Sequence, residues 1–217
     1  MVDPHYGGVG VSGGVAPALA GHDGQLEAKP NPWLYERMQI SSQPISMTYE
    51  QAEALFDRLE PIEIDFMMGE WWGREVSTGH NMDGSLAIAR WYGKTFIDED
   101  NVHPLVHLDG KGGKFCADPG KMPFGPRMKT PRYPGWLLPV LRWGMKAHMQ
   151  TSKTRARLRM TEYRGKVSAT MCYDQLPIHD VFRKLDDGNV LGFMDMKRMK
   201  RPYVFTLARE GTRGFEF

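Results

Sequence analysis

The stretch RARLRMTEYRGKVSATMCYD, residues 155–174, limits the fold more than any other part of this chain of 217 residues. Arg164-Gly165 separates two runs in which side-chain character alternates, and glycine accepts the positive φ that a two-residue hairpin turn demands. Pairing outward from that turn sets Glu162 opposite Val167, Met160 opposite Ala169, Leu158 opposite Met171 and Ala156 opposite Tyr173, one mostly apolar face. The other face pairs Thr161 with Ser168, Arg159 with Thr170, Arg157 with Cys172 and Arg155 with Asp174. Three guanidiniums in a dry interior would each need a partner, so the arginine face is expected outside, with only Asp174 to pair across the hairpin. Ala156, Leu158, Met160 and Met171 are expected inside.

More strands surround this hairpin. FRKLDDGNVLGFMDM reads as a second one turning at Asp187-Gly188, PYVFTLARE supplies a last strand, and VHPLVHL joins KFCAD across DGKGG. FMMGEWWGREV and WYGKTF add two upstream, with a short piece around residues 85–90 between them. A long open sheet with one apolar face leaves edges to manage, so the expected fold is mainly β, a single antiparallel β-barrel. An N-terminal helix is expected in TYEQAEALFDRLEP, where Thr48 and Gln51 stand at capping-box spacing and Ala52, Leu55, Phe56 and Leu59 make an apolar stripe. PVLRWGMKAHMQ reads as a second helix, preceded by residues 119–136 with five prolines.

Composition removes several functions. The formal net charge is +2, which leaves no global basic field for nucleic acid. No apolar run approaches the roughly 20 residues of a membrane span, so no integral membrane segment is expected and the chain reads as water-soluble. The Gly-rich start lacks the pattern of a secretory signal, and two cysteines, Cys116 and Cys172, make no disulfide framework, which together point to the cytoplasm. A homodimer stays open. Metal and cofactor are not expected: CxxC and HExxH are missing, and His103 and His107 in a strand would lie about 13 Å apart. Likewise GxSxG is missing, and His148 as a haem ligand is the weakest reading of any histidine.

GEWWG, followed by GH, WYGK and HPL, resembles the GXWXG domain family, and RARLRMTEYRGKVSATMCYDQLPIHDVFRKLDDGNVLGFMD resembles the C-terminal domain of unassigned function that accompanies it. That family is similar in topology to lipocalins and fatty-acid-binding proteins, in which a Gly-x-Trp near the first strand plugs the closed end. The resemblance therefore implies a lipocalin-like barrel plugged by Gly69, Trp71 and Gly73, the glycines leaving room for the indole, with Trp72 outside under the first helix. It implies acidic positions at Asp180 and Asp195 and leaves the reaction unassigned. Residues 1–45 then form a Gly/Pro-rich tail, 46–118 and 150–217 the two halves of the barrel, and 119–149 a loop-helix lid.

Candidate chemistry gathers around the expected cavity. His80 is a general acid or base, or it holds its turn by a backbone hydrogen bond. Glu75 shares the Trp71 face by alternation and becomes a buried carboxyl of raised pKa if its strand runs straight. Tyr173 ends the apolar hairpin face, and Asp195 sits at a strand junction. Trp71, Tyr92, Leu158, Met160, Met171, Phe124 and Trp143 are the expected ligand contacts, the last two from the lid, whose Lys121, Arg127, Lys129, Arg132 and Arg142 would steer an acidic head group. Two functions fit. One is a cofactor-independent lyase or isomerase that dehydrates, isomerises or cyclises a polyketide, terpenoid or similar apolar intermediate. The other is a non-catalytic carrier of a lipid or hydrophobic metabolite.

Overall fold

The computed structural model describes residues 45–122, 129–130 and 132–217. Its first helix, α1 (Tyr49–Arg58), begins as the capping box requires: Thr48 Oγ1 accepts from the Gln51 amide at 3.2 Å and Gln51 Oε1 accepts from the Thr48 amide at 2.8 Å. The strands are β1 (Ile45–Ser46), β2 (Gly69–Ser77), β3 (Trp91–Phe96), β4 (Val102–Leu108), β5 (Lys114–Cys116), β6 (Ala156–Tyr163), β7 (Lys166–Tyr173), β8 (Ile178–Lys184), β9 (Asn189–Met196) and β10 (Tyr203–Arg209). A helical turn, α2 (Ser85–Ile88), fills the piece before β3, and α3 (Leu138–Met149) is the second helix.

Of these strands β1 flanks β2 and β5 flanks β4, and the others run in the order β2-β10-β9-β8-β7-β6-β4-β3 with β3 pairing back onto β2. Every contact around that ring is antiparallel, and the ring is the expected barrel. The β6–β7 register is the one that the turn dictates, from Tyr163 opposite Lys166 to Ala156 opposite Tyr173, with Arg164 at φ 51 and Gly165 at φ 74. The second hairpin has a wider loop than a two-residue turn, because Lys184 pairs Val190 and the Leu185 amide reaches the Asn189 carbonyl at 2.9 Å. The wall is thinnest between β4 and β6, which meet at one pair, Val102 and Ala156, before β4 turns away to pair β5.

The interior is filled from alternate positions. Ala156, Leu158, Ala169 and Met171 are buried in the same cluster as Trp71, Trp91, Phe96, Phe182 and Phe205, with Met160 half-buried against it. Outside, α1 lays Ala52 and Phe56 on Val76, Val181, Leu191, Phe193 and Val204, and the Phe56 and Phe193 rings stack at 4.0 Å. Trp72 packs elsewhere than under α1: it joins Tyr92, Val106 and Ala208, with Gly214 against its ring.

The arginine face does lie outside, and it is better paired than the hairpin alone allows. Arg157 meets Asp174 at 2.7 Å, Arg155 meets Asp118 at 2.6 Å and Arg159 meets Asp100 at 2.6 Å. Two of those carboxylates come from loops distant in sequence, which local register cannot reveal. An exposed pair is screened by water, so Arg157→Gln is expected to move stability by less than ~1 kcal/mol, read as the midpoint of urea unfolding.

One end of the barrel is closed by the GxWxG segment. Trp71 is fully buried, its indole N–H donates to the Met67 carbonyl at 2.7 Å, and the Arg209 guanidinium lies 4.5 Å from its ring. Arg209 in turn donates to the Met68 and Phe66 carbonyls, tying β10 to the 3-10 turn Ile64–Met67. The two glycines serve different needs from the room for Trp71 that the motif suggests. Gly69 holds φ at +106, and a side chain on Gly73 would enter the ring of Trp91 at 2.0 Å.

Candidate functional site

At the level of β3 and β8 the interior stops being apolar. Lys94 and Asp180 form an ion pair of 2.7 Å with side-chain exposures of 2% and 1%. Lys94 Nζ also donates to the Pro104 carbonyl at 3.1 Å, while Asp180 Oδ1 has no hydrogen-bond partner among the described residues. Three rings surround the ammonium, Phe205 at 5.1 Å, Trp91 at 5.6 Å and Tyr173 at 5.7 Å from their centroids, a cation–π environment that offsets part of its lost hydration.

A bulge puts Lys94 there. Regular alternation in WYGKTF would oppose Trp91 to Lys94, yet both face the interior, because the β3–β4 register shifts on either side of Gly93. Gly93 sits at φ +154, and a Cβ on it would strike the Trp71 carbonyl oxygen at 2.0 Å. Asp180 needs no such device: Ile178, Asp180 and Phe182 alternate inward along β8, all fully buried.

Burial pulls Lys94 below the usual lysine range, against the pull of Asp180. It likewise pushes Asp180 above the usual carboxylate range, against Lys94. Tyr173 is raised well above its ordinary value by the same burial, then by the Asp180 charge, so it stays a phenol.

A second polar group lies where β2 ends and β10 begins. Glu75 is 5% exposed and accepts the Tyr203 hydroxyl on one oxygen and the Gly84 amide on the other. Its strand runs straight enough to keep it on the Trp71 face, and burial raises it above the ordinary glutamate value. Tyr203 is also raised well above its ordinary value, by burial and then by Glu75. The His80 ring lies 5.3 Å from that of Tyr203, and its Nδ1 accepts the Met82 amide at 3.1 Å. His80 therefore holds its own turn, and burial lowers its pKa below the ordinary value.

The remaining expected contacts divide cleanly. Leu158 and Met171 line the interior at zero exposure, Met160 is half-buried on the same face, and Trp71 forms the floor. Tyr92 is on the outer face, where its hydroxyl donates to Glu210, because the Gly93 bulge turns it away. Asp195 has the same parity as the outward Leu191 and Phe193 of β9 and so does not face the interior. Trp143 on α3 is 73% exposed and turned to solvent. Phe124 and Arg127 lie outside the described residues.

α3 packs onto the barrel near the start of β3 and the end of β4. Met145 packs on the core and Met149 is buried, Arg142 Nε donates to the Ile88 carbonyl at 2.8 Å, and Lys146 meets Asp109 at 3.2 Å. Near it His107 is buried, Nδ1 against the Ala89 carbonyl at 2.9 Å and Nε2 without a hydrogen-bond partner among the described residues. Burial holds its pKa at about 4 rather than 6.5. The unfolded chain takes up this proton near 6.5 and the folded one only near 4, so stability present above 6.5 is lost as pH falls to 4. The loss approaches about 3 kcal/mol at 1.36 kcal/mol per unit. Denaturant midpoints between pH 7 and 4 are expected to fall more steeply for the native chain than for His107→Gln. Among the described residues no cluster of three or more His, Cys, Asp or Glu could hold a metal, and no helix is long and apolar enough to cross a membrane.

A ring of antiparallel strands with one end plugged by a buried tryptophan under an arginine is a lipocalin-like fold. Residues 54–112 match the GXWXG protein family and residues 154–209 match a domain of unknown function, DUF4334. A crystal structure of a protein from Thermomonospora curvata superposes with a TM-score of 0.59 at 31% identity, over 81% of this chain and 95% of that one. The chain belongs to the GXWXG family. No curated protein matches it.

Proposed function

We propose that the barrel is a cofactor-independent enzyme that takes in an apolar small molecule and dehydrates, isomerises or cyclises it by acid–base catalysis. The reading rests on the Lys94–Asp180 pair. A buried ion pair is no more stabilising than apolar side chains of similar volume, so its place in the core asks for a chemical reason. Asp180 would take a proton from carbon beside a carbonyl, or from a hydroxyl, and Lys94 would hold the developing oxyanion. Trp91, Tyr173 and Phe205 would exclude water and keep the local dielectric low, which strengthens both interactions. Glu75, raised above the ordinary glutamate value by burial and accepting the Tyr203 hydroxyl, would be a second group able to exchange a proton. Leu158, Met160 and Met171 would form the apolar wall, and α3 would be the lid.

The test is an incubation with small-molecule extract of the source cells, followed by mass spectrometry. With the native chain one compound is expected to disappear and an isomer, or a product lighter by one water, to appear; the folded Lys94→Met/Asp180→Leu variant should leave the extract unchanged. A compound that is retained on native mass spectrometry and never converted would make the barrel a carrier instead.

A further inference from the structure

α3 and the turn before it present apolar side chains in two directions. Met145 and Met149 face the core, while Trp136, Val140 and Trp143 are 77%, 60% and 73% exposed. Spacings of four and three residues place these three on one stripe running from the turn Gly135–Leu137 along α3, with Tyr133, 41% exposed, just before it. Two exposed indoles on one helical face are costly in water and unexplained by folding.

Charge singles out what the stripe meets. From residue 119 to 150 there is no Asp or Glu and there are six Lys or Arg, although the whole chain carries only +2. The rest of the molecule is thus net acidic, and the basic excess lies in the same stretch of sequence as the tryptophans. Among the described residues of this segment only Lys146 meets a carboxylate, Asp109 at 3.2 Å; Lys129 and Arg132 are exposed and shortly precede the stripe in the chain. A second copy docked through the same face would bring like charges together. An anionic bilayer surface supplies the complement: negative head groups for the cations and an interfacial layer in which indoles are favoured.

We propose that the α3 face docks on anionic membrane, with Trp136, Val140 and Trp143 entering the interface and Lys129 and Arg132 at the head groups. This places the α3 side of the barrel against the lipid, so that an apolar molecule can pass between bilayer and interior without crossing water. The proposal is independent of any chemistry at Lys94, since binding to lipid needs no turnover.

Sedimentation with vesicles of phosphatidylcholine alone, and of phosphatidylcholine with phosphatidylglycerol, tests it. The native chain is expected to bind the anionic vesicles, more weakly as salt rises, and to bind phosphatidylcholine alone at least about ten-fold less. Lys129→Gln/Arg132→Gln should weaken anionic binding about thirty-fold, which is ~1 kcal/mol for each basic residue near the surface. Trp136→Ser/Trp143→Ser, altering exposed positions and so leaving the circular dichroism spectrum intact, should weaken it at least about ten-fold. Absence of binding by the native chain, or binding that both double variants retain, overturns the proposal. So does a native dimer that the tryptophan variant converts to monomer without any vesicle binding, since the stripe then joins two copies.

Discussion

Trp71→Ala is expected to lower the unfolding free energy by ~3–5 kcal/mol, the range for deleting a large ring from a core that cannot collapse around the loss. Collapse is blocked on each side. Arg209 lies over the indole and is held by two carbonyls of the 3-10 turn, and the backbone of β3 approaches the Trp71 carbonyl so closely that only Gly93 fits. The cavity would leave the Arg209 guanidinium without its ring and the Met67 carbonyl without its donor. Trp72→Ala, on the outer face, removes a ring of equal size beneath a surface segment that can settle, so its cost should be the smaller of the two. Denaturant unfolding of both variants decides the point: equal losses would mean that the plug is no more tightly built than the barrel's outer surface.

What could be read from the sequence follows from how local each signal is. The β6–β7 hairpin was legible residue by residue because a two-residue turn fixes register, and alternation then assigns both faces. The capping box of α1 was equally local, whereas the burial of Glu75 turned on whether β2 ran straight, which spacing alone left open. Lys94 was hidden by the Gly93 bulge, which reverses the phase of its strand halfway along; the same bulge sends Tyr92 outward. Asp180 could have been found, since it interrupts the inward apolar series Ile178, Asp180, Phe182, but its partner is 86 residues away in the chain. Asp195 fails by the same parity argument that recovers Asp180: it is one position out of phase with the inward Met194 and Met196. Tyr203 and Arg209 belong to a strand whose apolar content is high on both faces, so alternation marks neither as special.

Lys94 and Asp180 are expected to behave as a pair whose halves are worth less than nothing alone. Lys94→Met leaves a carboxyl at zero exposure without its cation, and Asp180→Leu leaves an amine in a ring of aromatic side chains without its anion. Each single change should destabilise by ~3–5 kcal/mol, whereas the double change to Met and Leu should lie between neutral and ~4 kcal/mol more stable than the native chain. The pH dependence separates buried charge from lost packing. In Lys94→Met the remaining Asp180 has a folded pKa above its unfolded 3.8, so the folded state holds the proton longer and the loss of stability grows as pH rises through that interval. In Asp180→Leu the remaining Lys94 has a folded pKa below its unfolded 10.5, so the unfolded chain binds the proton first and the loss grows as pH falls. Opposite slopes in the single variants, and neither slope in the double variant, are the expected result of denaturant titrations across the pH range. Parallel slopes in all three would place the cost in packing, and the pair would then have no claim to be a proton-transfer device that the barrel keeps at the expense of stability.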